Sequence, residues 1–220
     1  MKRLFFPLFF GLLSNSIFAQ NPDTSTAIKS FTSASLPKNA FVFYVIGDWG
    51  RQGEHEQKAV ADAMNKCAHE VKPEFIISTG DNFYTFGVRS VDDILWKKSF
   101  EDVYNGDAIK DITWYPVLGN HDTYGKEKAE VEYSKENPHW QMPSEYYAKQ
   151  LGDATFVFTN TEFLVHKKSE TQWNFIDSTL ATAKTKWKFV VGHHPVYSSN
   201  PMHGNTNVLI EKLKPLLEKY

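Results

Sequence analysis

Residues 75–84 read Phe75-Ile76-Ile77-Ser78-Thr79-Gly80-Asp81-Asn82-Phe83-Tyr84. An apolar, β-branched run of strand length stops at a glycine, and a carboxylate, an amide and a phenol follow at once. Three further strings repeat this arrangement. Gly47-Asp48-Trp49-Gly50 follows an apolar run at 41–46, Gly119-Asn120-His121-Asp122 follows 113–118, and Gly192-His193-His194-Pro195 follows 189–191. One Gly-Asp after a strand is ordinarily a turn or a helix N-cap. Four such strings in order offer carboxylates, a phenol, an amide and imidazoles, the donor set of a two-metal hydrolytic centre.

Outward from these strings, strand-like and helix-like segments alternate. A fifth strand is expected at 155–159, and helices at 57–71, 91–104 and 208–220, with Pro215 kinking the last or starting a new turn. Ser169 followed by Gln172 is a capping-box pattern ahead of a face formed by Trp173, Ile176, Leu180 and Ala183. Residues 124–147 read as an irregular insertion. The alternation predicts an α/β layered fold, in which loops leaving the carboxyl ends of strands line the ligand crevice. All four strings stand at such loops.

Asp48 and Asp81 are oxygen donors for hard cations, and at the ends of neighbouring strands their like charges call for a cation between them. Tyr84 shares the Asp81 loop, and as a phenolate it favours a trivalent or strongly acidic metal. Asn120 offers an amide oxygen, and His121 beside it is free to face substrate. His193 offers an imidazole to a borderline metal. His194 is open to ligation or to turn packing, and packing is the preferred reading. His203, ten residues beyond His193, is placed to return an acid–base group to the crevice.

The 220 residues carry 24 Lys and Arg against 26 Asp and Glu, scattered along the chain, so no basic nucleic-acid surface is expected. Residues 1–19 have the Lys2-Arg3 start, short apolar core and Ala19 ending of a signal peptide, and the apolar core is too short for a comfortable membrane span. An uncleaved anchor is the alternative; export is the preferred reading. Residues 20–39, rich in Ser, Thr and Pro, read as a leader before a domain at 40–220. The single cysteine, Cys67, rules out an intramolecular disulfide. It falls on a helical stripe with Val60, Met64 and Val71 and is expected to be buried.

These strings and their spacing resemble the calcineurin-like metallophosphoesterases, and within them the small, tartrate-resistant type of purple acid phosphatase. The resemblance spans about 40–220, with Gly80-Asp81-Asn82-Phe83-Tyr84 its most specific part. It implies a layered α/β/β/α sandwich. It also implies that Asp48 and Tyr84 bind Fe(III), that Asp81 bridges it to a divalent iron, zinc or manganese, and that Asn120 and His193 bind that second metal. His121 and His203 would face the substrate. The implied reaction is hydrolysis of small phosphomonoesters at acidic pH by a metal-bound hydroxide, in a monomer without stable membrane insertion.

The family pattern continues past the final helix into a further strand and a Gly-His-x-His string, with one histidine for each metal. The 220 residues are therefore expected to be an incomplete domain lacking those closing strands, and of doubtful activity alone. Met202 precedes His203 where relatives tend to carry a polar or acidic residue. Two other functions fit the same residues: a non-catalytic metal- or phosphate-binding protein, and a phosphodiesterase or nucleotide phosphohydrolase of the same superfamily.

Overall fold

The computed structural model describes residues 36–37, 39–166 and 169–220. The account that follows concerns Phe41–Tyr220, which forms a compact unit of its own. The expected signal peptide and leader, residues 1–19 and 20–39, lie outside the described residues save for 36, 37 and 39. Among the described residues no helix is long and apolar enough to cross a membrane.

Two three-stranded sheets make the framework. In the first, β1 (Phe43–Ile46), β2 (Phe75–Ser78) and β3 (Thr113–Pro116) run parallel in the order β1-β2-β3. In the second, β4 (Tyr147–Leu151) pairs antiparallel with β5 (Ala154–Phe158), and β5 pairs parallel with β6 (Trp187–Val191). Parallel strands need crossovers and end on the same side. That is why the loops after β1, β2 and β3 share one edge.

Side chains alternate across a strand, so each sheet has an inner and an outer face. The inner faces meet through aromatic rings. Phe43 stacks on Phe75 at 5.1 Å, and both meet the edge of Phe156 at 5.3 and 5.4 Å. Phe156 stacks on Phe189 at 4.8 Å, and Tyr115 leans on Phe158 at 5.9 Å. Beyond the first sheet, Trp49, Phe83, Trp96, Phe100, Trp114 and Trp140 pack with Ala61 and Ala68 of α1 (Gln57–Glu70) in the same buried cluster. Beyond the second, Val157 packs with Leu164 of α3 (Thr161–His166), Trp173, Ile176 and Leu180 of α4 (Glu170–Thr182), and Leu209 and Leu213. The sequence of layers is the expected α/β/β/α.

Several expectations shift. Cys67 is exposed, not buried. The buried residues of α1 are Gln57, Ala61 and Ala68, a face turned one residue away from the predicted stripe, whose other members are only half-buried. The presumed irregular stretch 124–147 contains α2 (Glu127–Tyr133), and β4 begins at its end. The polar Ala148-Lys149-Gln150 segment of β4 is exposed at the sheet edge, so hydrophobic periodicity does not reveal it. Within 91–104 the regular element is a π-helical turn at Trp96–Glu101. Pro215 stands in the first turn of α5 (Lys214–Lys219), directly after a π-helical turn at Leu209–Leu213, so helical backbone continues across it.

Candidate metal centre

The loops after β1 and β2 stay paired beyond the strands. Asp48 N donates to Gly80 O at 3.0 Å, Trp49 N to Asp81 O at 3.2 Å and Tyr84 N to Gly50 O at 2.9 Å. Gly80 has φ +96°, and a Cβ there would stand 2.7 Å from Gly119 N and 2.9 Å from His193 Cβ. Only a glycine lets the loops bearing Asp81, Asn120 and His193 meet so closely. Asp48 and Asp81 themselves adopt left-handed backbone, at φ 60° and 51°. Non-glycine residues take that region rarely, and such strain gathers at functional sites.

Asp81 is buried and is shared between two sides of the cluster. Its Oδ2 lies 2.7 Å from the Tyr84 hydroxyl, which in turn stands 3.0 Å from Asp48 Oδ1. Its Oδ1 accepts from His121 N at 2.9 Å and lies 3.5 Å from His193 Nε2. His193 Nδ1 donates to the Thr79 carbonyl at 3.0 Å, and its Nε2 faces Asn120 Oδ1 at 3.1 Å. An imidazole nitrogen, an amide oxygen and a carboxylate thus converge. That is the donor chemistry of a cation site, with the outer nitrogen of the histidine held by a carbonyl as metal-binding histidines generally are. Ligand atoms of Asp48, Asp81 and His193 lie within 4.8 Å of one another.

Burial, then the hydrogen bond to Asp81 and the charges of Asp48 and Asp81, push the Tyr84 phenol well above its ordinary pKa. The phenolic hydrogen and a cation compete for the same position between the two carboxylates. The Arg51 guanidinium lies over the Tyr84 ring, 3.5 Å from its centroid. His121 packs on the other aromatic contact, with ring centroids 4.4 Å apart, donates from Nδ1 to Thr85 O at 2.7 Å and turns Nε2 to 4.0 Å from Asp81 Oδ2. The chain thereby brings Asp48, Asp81, Tyr84, Asn120, His121 and His193 together. His203 is not joined to them. It lies on an exposed turn, and no hydrogen bond among the described residues ties it to the cluster.

A buried polar network holds these loops in place. Asp122 Oδ2 accepts from Gly119 N at 2.8 Å and Asn82 N at 3.0 Å, and Oδ1 accepts from Phe83 N at 3.0 Å. One carboxylate therefore clamps the Asn120 loop to the Asp81–Tyr84 loop. Asn82 Nδ2 donates to Val117 O at 2.8 Å and Glu130 Oε2 at 2.9 Å, while its Oδ1 accepts from Ser78 Oγ, which accepts from Trp49 Nε1 at 2.8 Å. Burial pushes the pKa values of both Asp122 and Glu130 up, the neighbouring charge of Asp122 adding to the effect on Glu130. Three backbone N–H groups favour the charge on Asp122, which leaves Glu130 as the neutral partner. Asp122 stands inside the Gly119–Asp122 string, but sequence gives it no role, and Glu130 has no local signal at all.

Residues 41–220 match the calcineurin-like phosphoesterase family. The chain belongs to that family. Its relatives include tartrate-resistant acid phosphatase type 5 of Oryctolagus cuniculus, 33% identical over 81% of this chain and 63% of the relative. Purple acid phosphatase 4 of Arabidopsis thaliana is 32% identical over 90% of this chain and 64% of its own length. Among solved structures, one described as GAP50, the anchor in the inner membrane complex of Plasmodium, superposes with a TM-score of 0.70 at 30% identity over 80% of this chain and 62% of that one. A purple acid phosphatase from yellow lupin seeds shares the fold, with a TM-score of 0.52 at 18% identity over 73% of this chain and 31% of that one. The chain spans a little under two thirds of the length of the curated relatives named here.

Proposed function

We propose that residues 40–220 form the catalytic domain of an exported, metal-dependent acid phosphatase that hydrolyses small phosphate monoesters. Tyr84, Asp48 and one oxygen of Asp81 would hold a ferric ion. The other Asp81 oxygen, Asn120 and His193 would hold a divalent iron, zinc or manganese. The observation that carries this reading is the division of the Asp81 carboxylate, with a phenol at 2.7 Å from one oxygen and an imidazole nitrogen at 3.5 Å from the other. Such metals, when bound, act as Lewis acids and activate water for in-line phosphoryl displacement.

The chain's own residues then have separate tasks. His121 carries its fixed proton at Nδ1, on Thr85 O, so that Nε2 is the atom available to hold a second proton beside a phosphate oxygen. His203, on its exposed turn, would have to close over a bound ester to protonate the leaving group. The exposed Phe86 and Tyr124 rings, 6.4 Å apart next to His121, offer apolar contact to an organic ester. The balanced charge accords with the lack of a nucleic-acid partner; a monomer in the exported compartment, without a membrane partner, is part of the same proposal.

Metal analysis and turnover of an aryl phosphate at acidic pH test the proposal on the purified chain. Two metals at the Asp48–Asp81–His193 cluster, lost in Asp81→Asn, and hydrolysis are expected, and Tyr84→Phe should remove a visible phenolate-to-iron band while leaving the fold. Colour unchanged by Tyr84→Phe would remove Tyr84 from the ligand set. A non-catalytic metal- or phosphate-binding role is the second reading, favoured by the likeness to a protein described as an anchor. It predicts metal or phosphate binding without turnover.

A further inference from the structure

A second group of metal-capable side chains lies apart from Asp48, Asp81 and Tyr84. Glu162, His166 and His194 each place a ligand atom within 4.8 Å of the others. Glu162 and His166 stand four residues apart on α3, so one helical turn sets them on the same face. His194 arrives from the loop after β6. Its Nε2 lies 3.3 Å from Glu162 Oε1, and His166 Nε2 lies 3.7 Å from Glu162 Oε2.

We infer that Glu162, His166 and His194 form a further divalent-cation site, suited to zinc or a similar borderline ion. The 3.7 Å separation is too long for a hydrogen bond. The 3.3 Å separation fits a shared metal, since ligands about 2.0–2.1 Å from a tetrahedral zinc stand roughly 3.3–3.4 Å from each other, while the 3.7 Å one, to the other Glu162 oxygen, would have to close by a few tenths of an ångström. Two imidazoles and a carboxylate are the donor types such an ion takes, and three protein ligands leave one position open. Thr161 Oγ1 lies 2.9 Å from His194 Nδ1, which fixes the ring and turns Nε2 to the cluster; a cation there selects the tautomer with the proton on Nδ1. Glu162 and His194 are 15% and 20% exposed while His166 is 62% exposed, so a cation has a route in from solvent.

The ion would fasten α3 to the β6 loop. Thr161 Oγ1 already accepts from His193 N at 3.2 Å and His194 N at 3.1 Å. A cation shared by Glu162 and His194 adds a stronger tie at the same seam, in a chain whose single cysteine allows no internal disulfide. It lies beside His193, yet its ligands are independent of Asp48, Asp81 and Tyr84.

Zinc titration of the full chain by calorimetry, with cobalt absorption as a second signal, tests the site. Asp81→Asn keeps a side chain that tolerates left-handed backbone and disables the carboxylate-centred cluster. This variant should still bind one zinc. Adding His166→Asn, an exposed change that leaves the fold intact by circular dichroism, should weaken that binding by at least about 10–100-fold. Zinc bound equally well with and without His166→Asn would overturn the inference, as would no zinc binding by Asp81→Asn. Failure of the carboxylate-centred reading looks different: Asp81→Asn would then bind as many metals as the unaltered chain.

Discussion

The two walls of the candidate metal centre are built in opposite ways. The carboxylate wall, carrying Asp48, Asp81 and Asn120, rises from the parallel sheet and is locked by an ionised group, since the buried Asp122 collects three backbone N–H donors from two loops. The histidine wall, carrying His193 and His194, rises from the mixed sheet and hangs on neutral bonds. Thr161 Oγ1 takes both histidine N–H groups, Asn160 Oδ1 caps the start of α3 through Phe163 N at 3.2 Å, and Gln172 of α4 holds the Asn160 backbone. Charge-assisted bonds in a dry interior are roughly twice as strong as neutral ones and far more costly to leave half-made. The carboxylate wall should therefore be the rigid reference, and the histidine wall the part that adjusts.

The sharpest way to break that contrast is Asp122→Ala. Three buried N–H groups would lose their acceptor, so a loss of roughly 3–5 kcal/mol of stability is expected. Metal affinity should fall with it, because the Asn120 loop is no longer tied to Asp81. Denaturant unfolding and metal titration on one sample measure both. A loss below about 1 kcal/mol would mean that the clamp is not what holds the wall. Gln172→Ala is the matching change opposite. Gln172 Oε1 accepts from Asn160 N at 2.8 Å and its Nε2 donates to Asn160 O at 3.1 Å, so two buried backbone groups are stranded at about 1–3 kcal/mol. Metal affinity should respond less than in Asp122→Ala.

The two walls also differ in how far sequence reveals them. Asp48, Asp81, Tyr84, Asn120 and His193 are legible because each follows an apolar run and a glycine, and a parallel sheet delivers such loops to one edge. The strands at 43–46, 75–78 and 187–191 are legible for the same reason. The groups that fix the geometry are not. Glu130 reaches Asn82 from a helix inside a stretch that reads as irregular, and only tertiary structure joins them. Gln172 reads as half of a capping box. Ser169 Oγ does accept from Gln172 N, but the Gln172 side chain leaves the helix to serve Asn160. Asn160 and Thr161 carry no pattern of their own.

A smaller effect separates the walls by pH. Burial and the charge of Asp122 raise the pKa of Glu130, so between the ordinary carboxylate range, about 4, and its folded value the native chain holds a proton that the unfolded one has lost. The stability it contributes is fully present below that range and is lost as pH rises through the folded value. Melting of the metal-free chain should accordingly fall from about pH 6.5 to about pH 8. Glu130→Gln keeps an acceptor for Asn82 Nδ2 and supplies an amide in place of the acid proton, so it should flatten the slope. A slope unchanged by Glu130→Gln would place the titration elsewhere. On the histidine side burial pushes His194 down to about 4, aided by the charges of His193 and His166, so the native ring stays neutral while the unfolded one takes a proton below about 6.5; its contribution rises from about pH 5 to that value and opposes the carboxylate slope, which is therefore read above it.

Ser169→Ala should give the smallest change, and it tests whether the capping box matters where its two halves have parted. The Ser169 hydroxyl accepts from Gln172 N at 3.3 Å, near the long limit for a hydrogen bond, and the contact is only partly buried. Water can replace it at modest cost. An N-cap serine is typically worth about 1 kcal/mol, and this one should fall at or below that value. The reciprocal half of the box, a Gln172 side chain returning to the Ser169 N–H, is not made, so nothing couples the cap to the Asn160 backbone. Ser169→Ala and Gln172→Ala should then add nearly independently in a double-mutant cycle, although the residues share one helical turn. An interaction energy above about 0.5 kcal/mol would show that the cap steers Gln172 after all. In that case the histidine wall would be anchored from the start of α4 and not from the glutamine alone.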